Sequence, residues 1–266
     1  MKPKRFNLLG AILALLCALP LCQAQTRQEP GLAEILQKAG VTGCIVLLET
    51  DPERIRVSDE TCGHHRFLPA STFKVVNALI ALETGAVREE EIFPWNGSPM
   101  PFKAWEKELT LREAMAVSSV PVFQEIARRI GQQRMAEWVT RIGYGNGDTG
   151  QVVDRFWLDG PLAISPVEQA RFMARLATGT LPFSSHTLAG LRRLIPQEQV
   201  GEARLYGKTG WASSVTPGIG WYAGWMESHG KMTAVAVRIP MNALDAAPLR
   251  KTLALEALHL AGIGIP

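Results

Sequence analysis

From Ser71 to Thr84 the chain is apolar nearly all the way round a helical wheel, at Val75, Val76, Ala78, Leu79, Ile80, Ala81 and Leu82. That pattern predicts a helix buried on every side, ended by Gly85. Upstream, 31–40 has amphipathic helical spacing closed by Gly40. Residues 42–50 read as a strand, with 54–58 as its partner across the Asp51-Pro52 turn. Downstream, 97–105 reads as loop. Thr110 and Glu113 have the spacing of a capping box for a helix running to Val117. Pro121 suits the first turn of the next helix, which ends at Gly131, and another follows over 132–141. A glycine-rich loop spans 143–151. Ser165, Pro166 and Glu168 are capping residues for a helix over 165–179, and 184–195 is helical in pattern.

The end of the chain changes rhythm. Residues 203–211, 218–228 and 231–239 are strand-like and joined by short turns, and 247–262 is a closing helix. Strands therefore sit at both ends and helices between them. This order predicts an α/β protein of the α+β type: a central antiparallel sheet built from both chain ends, flanked by helices, with an inserted helical region.

Charge changes the picture once the N-terminus is considered. Lys2, Lys4 and Arg5 precede the apolar run 8–21, and Cys22 and Ala24 are small residues three and one before a cut after Ala24. Residues 1–24 thus have the pattern of a cleaved export signal, leaving 25–266 as a single domain in a periplasmic or secreted location. Without those residues, 25 basic groups face 25 acidic ones, so the net charge of +3 belongs to the signal. Nothing in the balance points to a nucleic acid or, after cleavage, to a membrane surface. Of the four cysteines, Cys44 and Cys62 remain. An even pair in an oxidising compartment leans toward a disulfide worth roughly 3 kcal/mol, the alternative being that Cys44 is a small buried hydrophobe.

The apolar helix carries a lysine, Lys74, three residues after Ser71. A buried ammonium is costly unless paired, so burial pushes a lysine toward its neutral amine. A serine hydroxyl needs a neighbouring base to act as a nucleophile, and a neutral amine is one. Taken alone, S-x-x-K also describes a capping serine beside a lysine that reaches solvent. Two companions raise it: Ser118 in "SSV" (118–120), and "KTG" (208–210) in a predicted strand. There Lys208 and Thr209 would face a substrate carboxylate and Gly210 would let the substrate backbone approach.

With these three motifs in order, the chain resembles the class D serine β-lactamases, the OXA-type oxacillinases. "PASTFK" (69–74), "SSVPVFQEIAR" (118–128), "YGN" (144–146), "FWLDGPLAIS" (156–165), "GKTGW" (207–211) and "PLRK" (248–251) carry the likeness. Tyr222 departs from it, standing where a second tryptophan is common. The resemblance implies the serine β-lactamase/penicillin-binding-protein fold and hydrolysis of β-lactam antibiotics through an acyl-enzyme on Ser71. It implies that Lys74 is N-carboxylated by CO2 and serves as base for acylation and deacylation. Trp157 would hydrogen-bond the carbamate, and Phe73, Val120 and Leu158 would keep it dry. Ser118 would relay protons, Lys208, Thr209 and Arg250 would hold the substrate carboxylate beside Gly210, and the backbone of Ser71 and Trp211 would form the oxyanion hole. No metal or other cofactor is implied beyond CO2 or bicarbonate. The partner is a small-molecule β-lactam, and a homodimer is left open.

Other candidates read as structure. Glu168 is a helix-capping residue before it is a deacylating base. Cys62, His64 and His65 lack a fourth zinc ligand nearby. Tyr144 and Asn146 are turn residues. Two other functions compete: a β-lactam sensor that is acylated but not turned over, and a cell-wall peptidase with the same nucleophile.

Overall fold

A computed structural model describes residues 25–263. The export-signal expectation over 1–24 therefore lies outside the described residues. The strands are β1 (Thr26–Gln28), β2 (Cys44–Thr50), β3 (Glu53–Val57), β4 (Ile92–Phe93), β5 (Leu109–Thr110), β6 (Gln197–Val200), β7 (Ala203–Ala212), β8 (Ile219–Ser228) and β9 (Lys231–Pro240). The helices are α1 (Pro30–Lys38), α2 (Glu60–His64), α3 (Lys74–Glu83), α4 (Leu111–Ala116), α5 (Val120–Ile130), α6 (Gln132–Ile142), α7 (Pro166–Ala177), α8 (Ser185–Leu194) and α9 (Leu249–Leu260).

The described residues form one large sheet in the order β1-β3-β2-β9-β8-β7-β6, so N-terminal β2 pairs directly with C-terminal β9. The expectation of a sheet built from both ends holds. Its ladders are antiparallel except at one edge, where β1 runs parallel to β3, so the sheet is mixed.

Both faces of the sheet are covered, which explains why "CIVLL" is apolar at every position. Ile45 and Leu47 face Leu32 and Leu36 of α1 and Leu253 and Leu258 of α9. Val46 and Leu48 face the helical region, whose core includes Val76, Leu79, Phe123 and Met173. The caps fall where the sequence puts them. Thr110–Glu113 and Ser165–Glu168 both form complete capping boxes, at α4 and α7.

Two local expectations change, and the sheet gains edge strands that no pattern marked. The buried helix does not start as an α-helix: Ala70–Phe73 is a 3-10 turn and α3 begins at Lys74. The turn tightens because both the N–H and the hydroxyl of Thr72 bond the Pro69 carbonyl. The edge strands β1 and β6 carry no hydrophobic alternation and arise from pairing alone. Cys44 and Cys62 are not joined; both are free thiols lying side by side, and Cys44 is a buried strand residue. Cys62 Sγ turns to the Gly43 carbonyl while His64 turns to Glu60 and Thr26, so the two do not converge on a metal.

Candidate active site

The 3-10 turn decides the geometry of the first pair. With three residues per turn, positions i and i+3 sit directly above one another. Lys74 Nζ accordingly comes back to donate to Ser71 Oγ at 2.7 Å. Lys74 is fully buried, and burial, helped by the charge of Lys208, holds its amine far below the usual lysine range. Ser71 itself is half-buried, so its hydroxyl stays within reach of a ligand. Ala70, just before it, has a φ of 49°, a left-handed conformation that an L residue keeps only when its surroundings fix it.

The second pair comes from two other elements. Ser118, also left-handed at φ 58°, turns the chain between α4 and α5. Lys208 on β7 donates to Ser118 Oγ at 3.0 Å and to the Thr209 carbonyl at 2.9 Å. Burial, then the charge of Arg250, lowers Lys208 to about 7. β6 pairs with β7 only over Ala203–Tyr206, so Lys208–Ala212 presents an outer edge without a strand partner among the described residues. The serine turn lies against that edge. A Cβ on Gly210 would come within 2.9 Å of the Pro69 carbonyl, so glycine is what permits the approach.

The third component is a dry wall. Trp157 is fully buried and stacks on Phe73 at 5.5 Å, with Phe156 edge-on at 5.0 Å. Its indole N–H has no acceptor among the described residues. A buried donor left unpaired costs about 1–3 kcal/mol, so this N–H marks a place where an acceptor belongs.

A serine beside a depressed lysine, a second serine–lysine pair and an open strand edge are the parts an acyl-transfer site needs. The penicillin binding protein transpeptidase domain family matches residues 42–258. Beta-lactamase OXA-10 of Pseudomonas aeruginosa is 36% identical over 227 residues, covering 84% of this chain and 85% of that protein. The crystal structure of FUS-1 (OXA-85), a class D β-lactamase from Fusobacterium nucleatum subsp. polymorphum, superposes with a TM-score of 0.85 at 32% identity, covering 88% of this chain and 98% of the other. The chain belongs to the class D β-lactamases. Regulatory protein BlaR1 of Bacillus licheniformis is also similar, 31% identical over 96% of this chain but only 44% of its own length. Class D β-lactamases are serine hydrolases without a metal cofactor.

The remaining anticipated residues fall around this class D frame. Strand alternation puts Thr209 on the face of β7 opposite Lys208, half-exposed. Arg250 reaches the same strand from α9. Its stem passes over Gly220, where a Cβ would meet Arg250 Cδ at 3.0 Å, and its guanidinium donates to the Gly210 carbonyl at 2.6 Å. Burial lowers Arg250 to about 10, which still leaves it charged. Trp211 ties its indole to the Met241 carbonyl at 2.8 Å. Val120 opens α5 and Leu158 lies beside Trp157, both half-buried; Ser214 Oγ donates to the Leu158 carbonyl at 3.0 Å and draws the 212–218 loop over that side.

Glu168 is occupied in its capping box and by Arg66, at 2.5 Å. Asn146 organises its loop through the Pro161 carbonyl and the Ala163 N–H. A concavity of about 1100 Å³ lies away from Ser71, around β1, β3 and the turn between β8 and β9. There Glu49 pairs with both Arg54 and Arg56, an arrangement that holds no nucleophile. Gln169 is not signalled by any motif spacing; it joins Thr72, beside Ser71, across 97 positions, and only the fold brings the two together.

Proposed function

We propose that the chain hydrolyses β-lactam antibiotics through an acyl-enzyme on Ser71. One observation carries this: a fully buried amine, pushed toward its neutral form, lies 2.7 Å from the Ser71 hydroxyl. As Ser71 Oγ attacks the lactam carbonyl carbon, its proton passes to the base at residue 74. The charge on the carbonyl oxygen is held by the backbone N–H groups of Ser71 and Trp211, the latter on the open edge of β7. When the carbonyl C–N bond breaks, the ring nitrogen takes the Ser118 hydroxyl proton, and Lys208 Nζ, 3.0 Å away, replaces it. A lysine lowered to about 7 suits that donation near neutral pH. The proton held at residue 74 then returns to Lys208 through solvent; water attacks the ester carbonyl and gives a proton to the base at residue 74, which passes it to Ser71 Oγ as the C–O bond breaks, freeing Ser71.

The unpaired indole N–H of Trp157 fits an anion on Lys74, because an indole can only donate. CO2 adds to an unprotonated amine, and the carbamate, when present, supplies an anionic base at that position. Phe73, Val120 and Leu158 exclude water around it. Lys208, Thr209 and Arg250 hold the substrate carboxylate beside Gly210, and the loops over 98–102 and 212–218 shape the range of β-lactams accepted. Residues 1–24 direct export to the periplasm and are cut after Ala24, leaving 25–266 as one domain. The mass of the exported chain checks the cut.

The similarity to BlaR1 supports a second reading, a regulatory domain that is acylated and stays so. Steady-state hydrolysis of oxacillin in bicarbonate buffer separates the two. Continuous turnover is expected. A single burst equal to the enzyme concentration, with nothing after it, favours the regulatory domain, and no labelling of Ser71 contradicts both.

A further inference from the structure

Hydrogen bonds running through the core from α7 hold the serine turn, and none of the groups in them reaches a reacting atom. Thr72 Oγ1 donates to the Pro69 carbonyl at 2.7 Å, and Thr72 N–H donates to the same oxygen at 3.3 Å. The hydroxyl has one proton, already used, so toward Gln169 it must accept; Gln169 Nε2 donates to it at 2.6 Å. That fixes the amide. Its Oε1 faces the other way and accepts from the Tyr144 hydroxyl at 3.4 Å. Thr72 and Gln169 are fully buried and Tyr144 is 1% exposed.

Polar groups taken into an apolar core weaken it unless their bonds are complete, and complete ones fix a single arrangement. Here the arrangement fixed is the turn containing Ala70, at φ 49° between Pro69 and Ser71. A left-handed alanine persists only where neighbours over-determine it. Gly210 closes on the turn from β7, and the amide of Gln169 closes on it from α7. Without the amide, Ala70 is free to relax and Ser71 Oγ to shift from Lys74 Nζ.

We propose that Gln169 is a positioning residue for the reaction: acting through Thr72, it keeps the Ser71 hydroxyl in register with Lys74 and with the open edge of β7. The proposal rests on the acyl-serine reading above. Its test is the rate at which a fluorescent penicillin labels Ser71, measured by rapid mixing in the full chain beside thermal unfolding. Gln169→Met removes both amide bonds at similar volume. Thr72→Val removes the hydroxyl at constant shape, and Thr72→Ser restores it.

Gln169→Met and Thr72→Val are expected to acylate about 10–100-fold more slowly, with the affinity of the non-covalent complex unchanged, because small misplacements of a nucleophile cost that much. Thr72→Ser recovers most of the rate. The double variant Thr72→Val/Gln169→Met is no slower than the slower single one, since both cut the same connection. Unchanged labelling in Gln169→Met overturns the proposal, and so do losses that multiply in the double variant. Should Gln169→Met not fold, the contrast between Thr72→Val and Thr72→Ser decides the matter in the same way. Labelled wild type with unaffected variants overturns this inference alone; a wild type that does not label overturns the acyl-serine reading and this inference with it.

Discussion

Lys74 and Lys208 are both enclosed, and each lies within hydrogen-bond reach of a serine hydroxyl, yet their surroundings differ in one respect. Lys208 has a second acceptor, the Thr209 carbonyl at 2.9 Å. Lys74 has Ser71 and, on its other side, the face of Phe123 at 5.6 Å. Burial strips protons from both. At Lys208 the charge of Arg250 adds to burial and the amine settles at about 7; at Lys74 the charge of Lys208 adds to burial and holds the amine well below its ordinary value. In the proposed reaction two buried lysines divide the labour, one taking a proton and the other giving it.

The comparison breaks most visibly at residue 74. Lys74→Met is expected to lower oxacillin turnover at least about 10³-fold, the loss that goes with a general base, while Glu168 remains in place. Next comes Trp157→Phe, which keeps the ring and removes only the unpaired donor. It is expected to slow turnover about 10–100-fold, with added bicarbonate recovering part of the loss; an unchanged rate in bicarbonate-free buffer speaks against a carbamate.

The pH profile of kcat/KM sharpens the difference between the two lysines. Lys74 acts unprotonated, so activity rises with pH on the acid side. Lys208 acts protonated, so activity falls as pH rises through about 7, the value burial gives it. With substrate carboxylate bound, the alkaline fall in kcat moves upward, because an anion stabilises the ammonium.

A smaller effect concerns stability. Lys208 is lowered in the folded chain from 10.5 to about 7, so the unfolded chain binds the proton more tightly and wild-type stability rises with pH between those values. Lys208→Met removes the burial cost. Its Tm is expected to exceed the wild-type value by about 2–4 °C near pH 6, the gap narrowing as pH rises above about 7 and closing toward the unfolded value. The smallest effect belongs to Glu168→Gln, which is expected to change turnover by less than about twofold, since that side chain serves a cap and Arg66. A collapse there would move the base away from Lys74.

Much of this was legible in the sequence because the controlling physics is local. The capping boxes at Thr110 and Ser165 are fixed by residues three apart, and the all-apolar surface of α3 by a single run. The pairing of Ser71 with Lys74 follows from spacing, although the spacing suggested an α-helix where a 3-10 turn does the work. What was not legible depends on contacts distant in sequence. β1 and β6 are polar edge strands formed by pairing. Gln169 reads as one more residue of an amphipathic helix until Thr72 is brought to it. The pair Cys44 and Cys62 reads as a disulfide by count, and in the structure the two thiols stand beside each other unjoined.

The central claim is that Lys74 stands unprotonated in its pocket and takes up CO2 there. Carbon-13 NMR of the enzyme in labelled bicarbonate tests it most directly. The account predicts a carbamate resonance that is absent in Lys74→Met, disappears on acidification, and rises and falls with oxacillin turnover. An enzyme that turns over at full rate with no such resonance, in buffer freed of CO2, would contradict it.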